Sequence, residues 1–266
     1  MKKKSAGSIA VMLLVMIYLL IPLVISIIYS LFKKWTGILP EGFSIGNYTS
    51  LFSDPNFLAS VGRSVGMCIV PILLTIVIVL LALFVTTIYF PKLEKYVQII
   101  CMIPYTIQGV ILSVSILSLY VGNKSVLSNR MVMLMGAYCI VILPYIYQGI
   151  RKGMRAVNMV TLIEAAEMLG ASKIYAFFRV VVPNIISAII VSSLLAVGII
   201  FGDYVLIRNL AGTSAPNMQI FLYQTMKSDS TKASAVFVII MFVTFVITAV
   251  VLFLKSREGK NRVQKK

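Results

Sequence analysis

The sequence predicts an all-α protein that crosses a membrane several times. Of its 266 residues, 60% are hydrophobic and only 12% are charged, and the mean hydropathy is +1.00. A soluble domain of this length would need far more charge on its surface. Several apolar runs also reach roughly 20 residues, the length that an α-helix needs to cross a hydrocarbon core about 30 Å thick. Together these observations predict a polytopic membrane protein.

Six membrane spans are predicted within one transmembrane domain that covers residues 1–266. Their bounds are about 9–31, 64–90, 97–121, 131–150, 184–206 and 233–254. The first run is too long for the apolar region of a signal peptide. It also lacks a small-x-small cleavage site before the polar segment that starts at Lys33. We therefore expect the first span to remain in the mature protein.

The basic residues predict the orientation. With the N-terminus inside, the inner segments hold twice as many lysines and arginines as the outer segments. This bias favours both termini in the cytoplasm. Charge beside the span ends is explained by topology and by anionic lipid headgroups. The net charge of +16 therefore gives no reason to expect nucleic acid as a partner, and the lipid bilayer is the expected surroundings.

The longest outer segment, about 32–63, separates the first two spans. Trp35 and Tyr48 suit the interfacial belt, where amphipathic rings settle. Asp54 followed by Pro55 is a typical helix-start signal. We therefore predict a short surface helix over 56–63.

Metal and catalytic chemistry are not expected. The three cysteines, Cys68, Cys101 and Cys139, all fall in predicted spans at spacings unlike those of metal sites. Their simplest interpretation is as small buried apolar residues. The chain has no histidine, so the commonest general base and metal ligand is missing. No cofactor is predicted.

Prolines occur in three consecutive predicted spans, at Pro71, Pro104 and Pro144. A proline inside a span frees a backbone carbonyl, which neighbouring helices or water in a cavity must satisfy. This pattern favours bent helices that line a translocation route over plain packing. Pro104, followed by Tyr105 and Gln108, is the group most expected beside that route.

A polar segment follows the fourth span, and its pattern predicts two short helices. Apolar residues recur at i, i+3, i+4 and i+7 and give one stripe: Leu162, Ala165, Ala166 and Leu169. Gly170 suits the position after a helix end, where a left-handed conformation needs no side chain. Ser172 can cap a second helix, 173–181, which is expected to stop at Pro183.

This segment resembles the EAA loop of binding-protein-dependent ABC transporter permeases. In that family E-A-A, a glycine four residues beyond the last alanine, and a later apolar-x-apolar-Pro recur. The matching residues are Glu164, Ala165, Ala166, Gly170 and Val180-Val181-Val182-Pro183. The usual isoleucine and leucine of the last element are both valine here. The resemblance extends from the first span through Phe253 and implies the permease fold of a type I ABC importer.

The resemblance implies that the loop at 158–183 docks into a cleft on a separate ATPase. The residues expected to couple the two are Glu164, Ala165, Ala166, Gly170, Ala171 and Pro183. Nothing in the chain resembles G-x-x-x-x-G-K-[ST], the loop that binds nucleotide phosphates. ATP hydrolysis is therefore expected on another polypeptide, and this chain is expected to be a non-catalytic subunit.

The resemblance also implies the assembly. The expected partners are two ABC ATPase subunits, a second permease chain and an extracytoplasmic binding protein that delivers the solute. The polyamine branch usually pairs two different permeases, so a heterodimer is favoured. The expected location is the inner membrane of a bacterial cell.

The finer resemblance near the fifth span is to the spermidine/putrescine branch. The residues that carry it are Phe201-Gly202-Asp203-Tyr204-Val205, Leu210-Ala211-Gly212-Thr213, Ile220 and Tyr223. Related branches move ferric iron, thiamine or aminoethylphosphonate. A polyamine needs carboxylates and aromatic faces, and Asp203 and Tyr204 are the pathway residues that offer them.

Alternative interpretations remain open at this stage. Asp203 can equally be a helix-end residue that bonds to backbone or to Arg208, and Arg208 with Lys227 suits an anionic phosphonate. A secondary transporter driven by an ion gradient is the main alternative class, although Asp203 is the sole acidic candidate in its spans. A membrane-embedded enzyme would need a nucleophile, base or metal constellation, which the sequence lacks.

Overall fold

The prediction of an all-α polytopic membrane protein is confirmed. A computed structural model describes residues 6–34, 41–107, 109–122, 126–212 and 215–263. Within these ranges, four helices are long and apolar enough to cross a membrane alone: Val11–Ser30, Pro55–Ile88, Arg130–Ala156 and Ser230–Phe253. Two bent pairs of helices pass the same test together, which brings the number of spans to as many as six. Trp35 and Gln108 lie outside the described residues.

The helices are numbered in chain order. They are α1 Ala6–Ser30, α2 Gly46–Phe52, α3 Pro55–Ile88, α4 Glu94–Met102, α5 Gly109–Tyr120, α6 Arg130–Ala156, α7 Met159–Met168, α8 Lys173–Ala176, α9 Val182–Asn184, α10 Ile186–Phe201, α11 Val205–Leu210, α12 Met218–Ser228 and α13 Ser230–Val263. Short 3₁₀ turns occupy Pro91–Leu93, Ile103–Thr106 and Val126–Ser128. Two short strands, β1 Phe32–Lys34 and β2 Glu41–Phe43, pair antiparallel with Phe32 opposite Phe43.

The core of the bundle is built around α6, which packs along both α3 and α10. Fully buried residues recur along α6 at Leu134, Ile142, Ile146 and Ile150. Spacings of four and eight place them on one stripe of the helix. Tyr138 lies on the same stripe and is also buried. α6 is therefore the helix against which the other elements are positioned.

Helix α1 lies outside this core and contacts α13. None of the apolar window in α1 is buried. Lipid tails are as apolar as leucine, so such a surface is stable in hydrocarbon without protein cover. The exposed apolar surface of α1 is therefore consistent with a span at the edge of the bundle.

The prediction of a separate surface helix over 56–63 is wrong. Helix α3 runs without interruption from Pro55 to Ile88 and so begins well before the predicted residue 64. The predicted start signal is nevertheless present. The Asp54 carboxylate accepts the Asn56 N–H at 3.0 Å, and Pro55 occupies the first turn, where its missing N–H costs nothing. The next proline after Pro55 is Pro71, so no proline interrupts α3 near residue 63, where the predicted surface helix was expected to end.

The regions of the third and fifth predicted spans are bent. The axis of α5 lies at 102° to that of the segment Pro91–Thr106, which ends in the 3₁₀ turn that contains Pro104. The axis of α10 lies at 66° to that of Lys173–Asn184. In the first bend proline removes a backbone donor next to the break, which favours a change of direction there. Helix α10 ends at Phe201, so Asp203 lies beyond it rather than within the predicted span to 206.

The two ends of the bundle carry different features, which we name the loop end and the opposite end. The loop end holds the C-terminus of α6 and residues 158–183. The opposite end holds the start of α3, the end of α10, α11, α12 and the start of α13. At the opposite end the Lys232 ammonium lies 3.3 Å from the Asp54 carboxylate, and Arg63 Nε donates to the Pro216 carbonyl at 2.8 Å.

Candidate functional site

The loop at 158–183 leaves α6 through a left-handed residue. Asn158 has φ 50° and ψ 66°, a conformation that asparagine tolerates better than most side chains. It separates the end of α6 at Ala156 from the start of α7 at Met159. The direction of α7 is therefore fixed by backbone geometry where the loop begins.

The first helix of the loop, α7, buries only part of its apolar surface. Met159 and Ile163 are 3% exposed, and Leu162 and Ala166 are half-buried, but Ala165 is exposed. Ala165 and Leu169, two residues of the apolar stripe in the sequence, therefore stay exposed. The larger side chains of Met159 and Ile163 offer more apolar area to bury than an alanine does, so α7 turns this face inward.

Gly170 ends α7 as predicted. Its φ is +85°, in the left-handed region that favours glycine. The Gly170 N–H donates to the Glu167 carbonyl at 2.9 Å, and the Ala171 N–H donates to the Ala166 carbonyl at 3.0 Å. This pair of hydrogen bonds is the Schellman motif, which satisfies two carbonyls at the helix end. The turn is therefore a defined structure.

Ser172 caps the second arm, also as predicted. Its Oγ accepts the Tyr175 N–H at 3.3 Å at the start of α8. The prediction that a helix over 173–181 stops at Pro183 is wrong. The chain passes from α8 into a π-helical segment, Phe177–Val181, then into α9, which contains Pro183 and ends at Asn184. A proline ring clashes with the carbonyl four residues earlier, and the wider π turn just before Pro183 accommodates it.

The second arm is anchored in the core by aromatic packing. Phe177 is fully buried, and its ring centroid lies 4.7 Å from that of Phe84 on α3. Val181 is fully buried as well. At the turn, Glu167 and Lys173 form an exposed ion pair at 3.8 Å. Both arms of the loop are thus held, one by α7 packing and one by Phe177.

The tip of the loop is exposed and partly apolar. We define the tip as Glu164, Ala165, Met168, Leu169 and Gly170, which are all exposed. Met168 and Leu169 are 88% and 89% exposed, although both are large and apolar. Of the other residues predicted for coupling, Ala166 and Ala171 are half-buried beside the tip, and Pro183 lies at the far end of the second arm.

Sequence reasoning missed a charged cluster where the loop joins the bundle. Glu94 on α4 accepts from two arginines of α6, with Arg151 at 2.8 Å and Arg155 at 3.0 Å. The cluster and Asn158 line a cavity of about 180 Å³. Glu94 and Arg151 lie 57 positions apart in the chain, so no local pattern connects them. In the sequence they contribute only to the count of basic and acidic residues.

The residues predicted for the pathway fall into two groups. Pro104 and Tyr105 lie on the 3₁₀ turn after α4, where the Tyr105 ring packs edge-on against Tyr145 at 4.9 Å. Asp203 lies between α10 and α11. Its carboxylate accepts from the Tyr138 hydroxyl at 3.2 Å and from the Leu206 N–H at 3.1 Å.

These two groups share one helix face but do not meet. Tyr138 and Tyr145 lie seven residues apart on α6, which places them on one face, roughly 10 Å apart along the axis. The contacts of Asp203 agree with its interpretation as a helix-end residue that bonds to backbone. Next to it, Tyr204 is half-buried and its ring lies 5.3 Å from that of Tyr223 on α12.

The fold and this loop define a membrane transport component, and comparison with known proteins identifies the family. Residues 93–258 match the family described as the binding-protein-dependent transport system inner membrane component. The chain belongs to this family, whose members are transport subunits. The matched region includes the loop and every described helix from α4 to α12.

Individual relatives are distant. The chain is 20% identical over 203 residues to a Salmonella typhi protein named as the permease of a 2-aminoethylphosphonate transport system, PhnV, with 76% of each chain covered. The Salmonella paratyphi A protein of the same name is 21% identical over 202 residues. Among solved structures, a bacterial ABC transporter involved in import of the acidic polysaccharide alginate has a TM-score of 0.65 at 18% identity, with 94% of both chains covered. A second structure of an alginate ABC transporter, in complex with a pentasaccharide-bound periplasmic protein, also has a TM-score of 0.65, with 92% coverage. This likeness confirms the ABC importer permease fold.

Proposed function

We propose that this chain is the membrane-spanning permease subunit of an ATP-driven, binding-protein-dependent importer. It forms half of the translocation pathway for a small polar solute, and the loop at 158–183 couples it to a separate ATPase. The observation that carries the proposal is the exposed apolar tip of a loop whose two arms are both fixed to the bundle.

The apolar tip is best explained by a partner. Met168 and Leu169 are large, apolar and almost fully exposed next to Glu164. Adjacent exposed apolar side chains rimmed by polar residues are typical of protein contact sites. Family membership supports an ATPase as the protein that covers this surface, with Ala165 allowing close backbone approach and Glu164 accepting donors.

The anchoring of the loop supports a mechanical role. The Schellman turn fixes the angle at Gly170, and Phe177 packs against Phe84 of α3. Force applied at the tip therefore reaches the core helices instead of being absorbed by a loose connector. Closure of the ATPase subunits then moves the bundle largely as a rigid body.

The proposed assembly uses both ends of the bundle and the exposed side of α5. The loop end faces the cytoplasm and two ATPase subunits, and the opposite end faces the outside and a binding protein, in the inner membrane of a bacterium. Tyr105 and much of α5 expose apolar or aromatic surface, which suits contact with a second permease chain that completes the pathway. We favour a different chain over a second copy, as the resemblance to the polyamine branch implies.

The solute that we favour is 2-aminoethylphosphonate or a chemically similar organophosphonate. The named relatives in Salmonella support this choice. The polyamine favoured by the sequence is the second candidate. A polyamine would need the Asp203 carboxylate to be free to pair with its ammonium groups. The Asp203 carboxylate already accepts hydrogen bonds from Tyr138 and Leu206, so fewer of its acceptor positions remain for a cationic solute.

Crosslinking tests the coupling role. Cysteine introduced at Leu169 in the assembled transporter is expected to crosslink to the ATPase, because the side chain is exposed at the tip. Cys68 and Cys101 are buried and Cys139 is half-buried, so the native thiols give little background. Capture of the ATPase from Leu169→Cys but not from Val126→Cys at the opposite end supports the proposal. Failure to capture any nucleotide hydrolase contradicts it.

Two substitutions test coupling itself. Glu164→Lys and Gly170→Pro are expected to leave membrane insertion intact and to uncouple ATP hydrolysis from uptake. The matched controls are Glu164→Gln and Gly170→Asn. Asparagine tolerates the left-handed backbone, and a Cβ at Gly170 meets nothing within 4 Å. Normal uptake in both test variants would exclude the coupling role.

The energy source separates the proposal from the main alternative. Reconstituted vesicles with ATP inside and no ion gradient are expected to take up solute. Uptake that requires an ion gradient while ATP is present would indicate a secondary transporter instead.

A further inference from the structure

We propose that Arg208, Tyr223 and Lys227, together with Tyr204, form an anion-binding subsite at the opposite end of the bundle. The subsite holds the phosphonate or phosphate group of the solute where it enters the pathway. This inference rests on the proposed function, because it assigns residues and a ligand class to the entrance of the proposed pathway.

The four side chains come from two helices and the turn before them. Arg208 lies on α11, and Tyr223 and Lys227 lie one turn apart on α12. The Arg208 guanidinium carbon lies 5.7 Å from the centroid of the Tyr223 ring, and the Lys227 ammonium lies 4.6 Å from it. The Tyr204 ring lies 5.3 Å from the same ring. One phenol therefore has two cations and a second phenol around it.

Neither cation has an acidic partner within the described ranges. The ion pairs there join other residues. The acids nearest in sequence are engaged elsewhere: the Asp203 carboxylate accepts from Tyr138 and Leu206, and the Asp229 carboxylate accepts from Thr231 and the Lys232 N–H. Arg208 and Lys227 are exposed, so both are accessible to a ligand.

The two cations give the surface around Tyr223 a positive potential. Two like charges close to one ring repel each other, and the ring quadrupole compensates only weakly for this. The nearby Lys227 ammonium, and to a lesser extent Arg208, lowers the pKa of the Tyr223 phenol. An anion held next to the Tyr223 ring would be attracted by both cations.

The donors indicate the class of ligand. Guanidinium and ammonium groups only donate, and phenol hydroxyls can donate to the same acceptor. A phosphonate or phosphate group has several acceptor oxygens and suits arginine in particular. A polyamine would meet two like charges here. The subsite therefore favours an organic anion over a cation.

The position of the subsite connects it to the predicted pathway. Tyr204 follows Asp203, whose carboxylate bonds to Tyr138 on α6. The face of α6 that carries Tyr138 carries Tyr145 seven residues later, in contact with Tyr105. An anion held by Arg208 and Lys227 would thus lie at the end of this row of residues.

Equilibrium binding of radiolabelled 2-aminoethylphosphonate to the purified complex of permeases and ATPases, without the binding protein, tests the subsite. The double variant Arg208→Gln, Lys227→Gln is expected to weaken binding by at least about tenfold, because charge-assisted hydrogen bonds are lost. Arg208→Lys with Lys227→Arg keeps both charges and is expected to stay within about threefold of wild type. Lys33→Gln removes an exposed charge at the same end and is the matched control.

Every outcome of this binding experiment either supports or overturns the subsite. Unchanged binding in the double variant overturns the subsite, as does a wild type that binds putrescine but not the phosphonate. A wild type that binds neither also overturns it. Retained solute binding with weakened association of the substrate-loaded binding protein would assign the cluster to docking instead. An unchanged thermal midpoint in the double variant shows that any loss is not caused by unfolding.

The proposed function fails in a different way. A wild-type transporter without ATP-dependent uptake of any solute would exclude the permease role, whatever the binding data show. ATP-driven uptake that is indifferent to Arg208 and Lys227 would exclude only the subsite. The two proposals are therefore tested separately.

Discussion

Gly153 on α6 lies directly against Ala188 on α10. A Cβ on Gly153 would lie 2.6 Å from the Cβ of Ala188, closer than two such carbons approach in proteins, and a Cβ on Gly149 would collide with Ser192 one turn earlier. Two glycines four residues apart let helix backbones approach closely, an arrangement common in membranes, where van der Waals packing drives association. The closeness of α6 and α10 thus depends on the absence of two side chains.

Replacing these glycines is expected to destabilise the bundle. Gly153→Ala forces α6 and α10 apart, and overpacking of this kind costs about 1–3 kcal/mol. The thermal midpoint of the detergent-purified protein should therefore fall. Gly136→Ala on the same helix is the control, because a Cβ there meets nothing within 4 Å.

A second substitution tests the same contact between α6 and α10. Ala188→Gly removes the methyl group that Gly153→Ala would strike, so the double variant should recover much of the lost stability. If Gly153→Ala is as stable as Gly136→Ala, the close approach of the two helices in the structure is wrong.

The exposed tip gives a prediction about assembly. Leu169 is 89% exposed, so Leu169→Asp should leave the thermal midpoint of the isolated chain unchanged. It should weaken association with the ATPase by at least about tenfold, since charge placed in an apolar contact must be desolvated. Surface plasmon resonance with the immobilised permease measures the affinity.

Val126→Asp is the matched control for Leu169→Asp. Val126 is 81% exposed and lies at the opposite end, so the same substitution there should leave the affinity for the ATPase unaltered. Equal affinity in wild type and Leu169→Asp would remove the tip from the interface.

Local rules predicted the parts of the loop that depend on neighbours in sequence. The glycine at 170 and the cap at Ser172 follow from backbone preferences within a few residues. The buried face of α7 did not follow, because 3.6-residue periodicity allowed more than one stripe. Packing against the rest of the protein selected Met159 and Ile163 over Ala165.

Long-range contacts were beyond prediction from one sequence. Apolar run length located the spans, since it measures what lipid requires. Pro104 indicated a bend but not its angle, whereas α3 and α6 continue as single helices through Pro71 and Pro144. The bond between Tyr138 and Asp203 joins residues 65 positions apart, and the cation cluster at Tyr223 joins α11 to α12. Only the fold brings these side chains together.

The charged cluster at the loop end predicts unequal effects for its two arginines. The Arg151 side chain is 17% exposed and Arg155 is 63% exposed, although both bind Glu94. Arg155→Gln should change stability by less than about 1 kcal/mol, as for most exposed ion pairs. Glu94→Gln should cost about 1–3 kcal/mol, because it leaves Arg151 poorly solvated without its partner.

A double-mutant cycle tests the pair directly. Glu94→Gln combined with Arg151→Gln should destabilise less than the two single changes added together, since the second change removes the unpaired charge. Thermal midpoints of the four proteins supply the comparison. Strict additivity would show that the two side chains act independently.

The ion pair at the opposite end predicts a dependence of stability on pH. Burial alone would raise the pKa of Asp54, but hydrogen bonds from the Asn56 N–H and Lys232 outweigh it and lower the pKa. The unfolded chain, with an ordinary carboxyl pKa of about 3.9, then binds more protons than the folded chain. The stabilisation by Asp54 is therefore present above about pH 4 and is lost as pH falls through the lowered folded value.

Substitutions at Asp54 separate its two roles. Asp54→Ala removes both the cap on α3 and the ion pair to Lys232, and should cost about 1 kcal/mol or somewhat more at pH 7. Asp54→Asn keeps an oxygen that can accept the Asn56 N–H and loses only the charge, so it should cost less. Because a protonated carboxyl no longer pairs with Lys232, the deficit of Asp54→Asn relative to wild type should shrink as pH falls below 4. Thermal midpoints measured from pH 7 downward give this difference. A deficit that stays constant over the whole range would mean that the Lys232 ion pair contributes nothing to holding the start of α13 against α3.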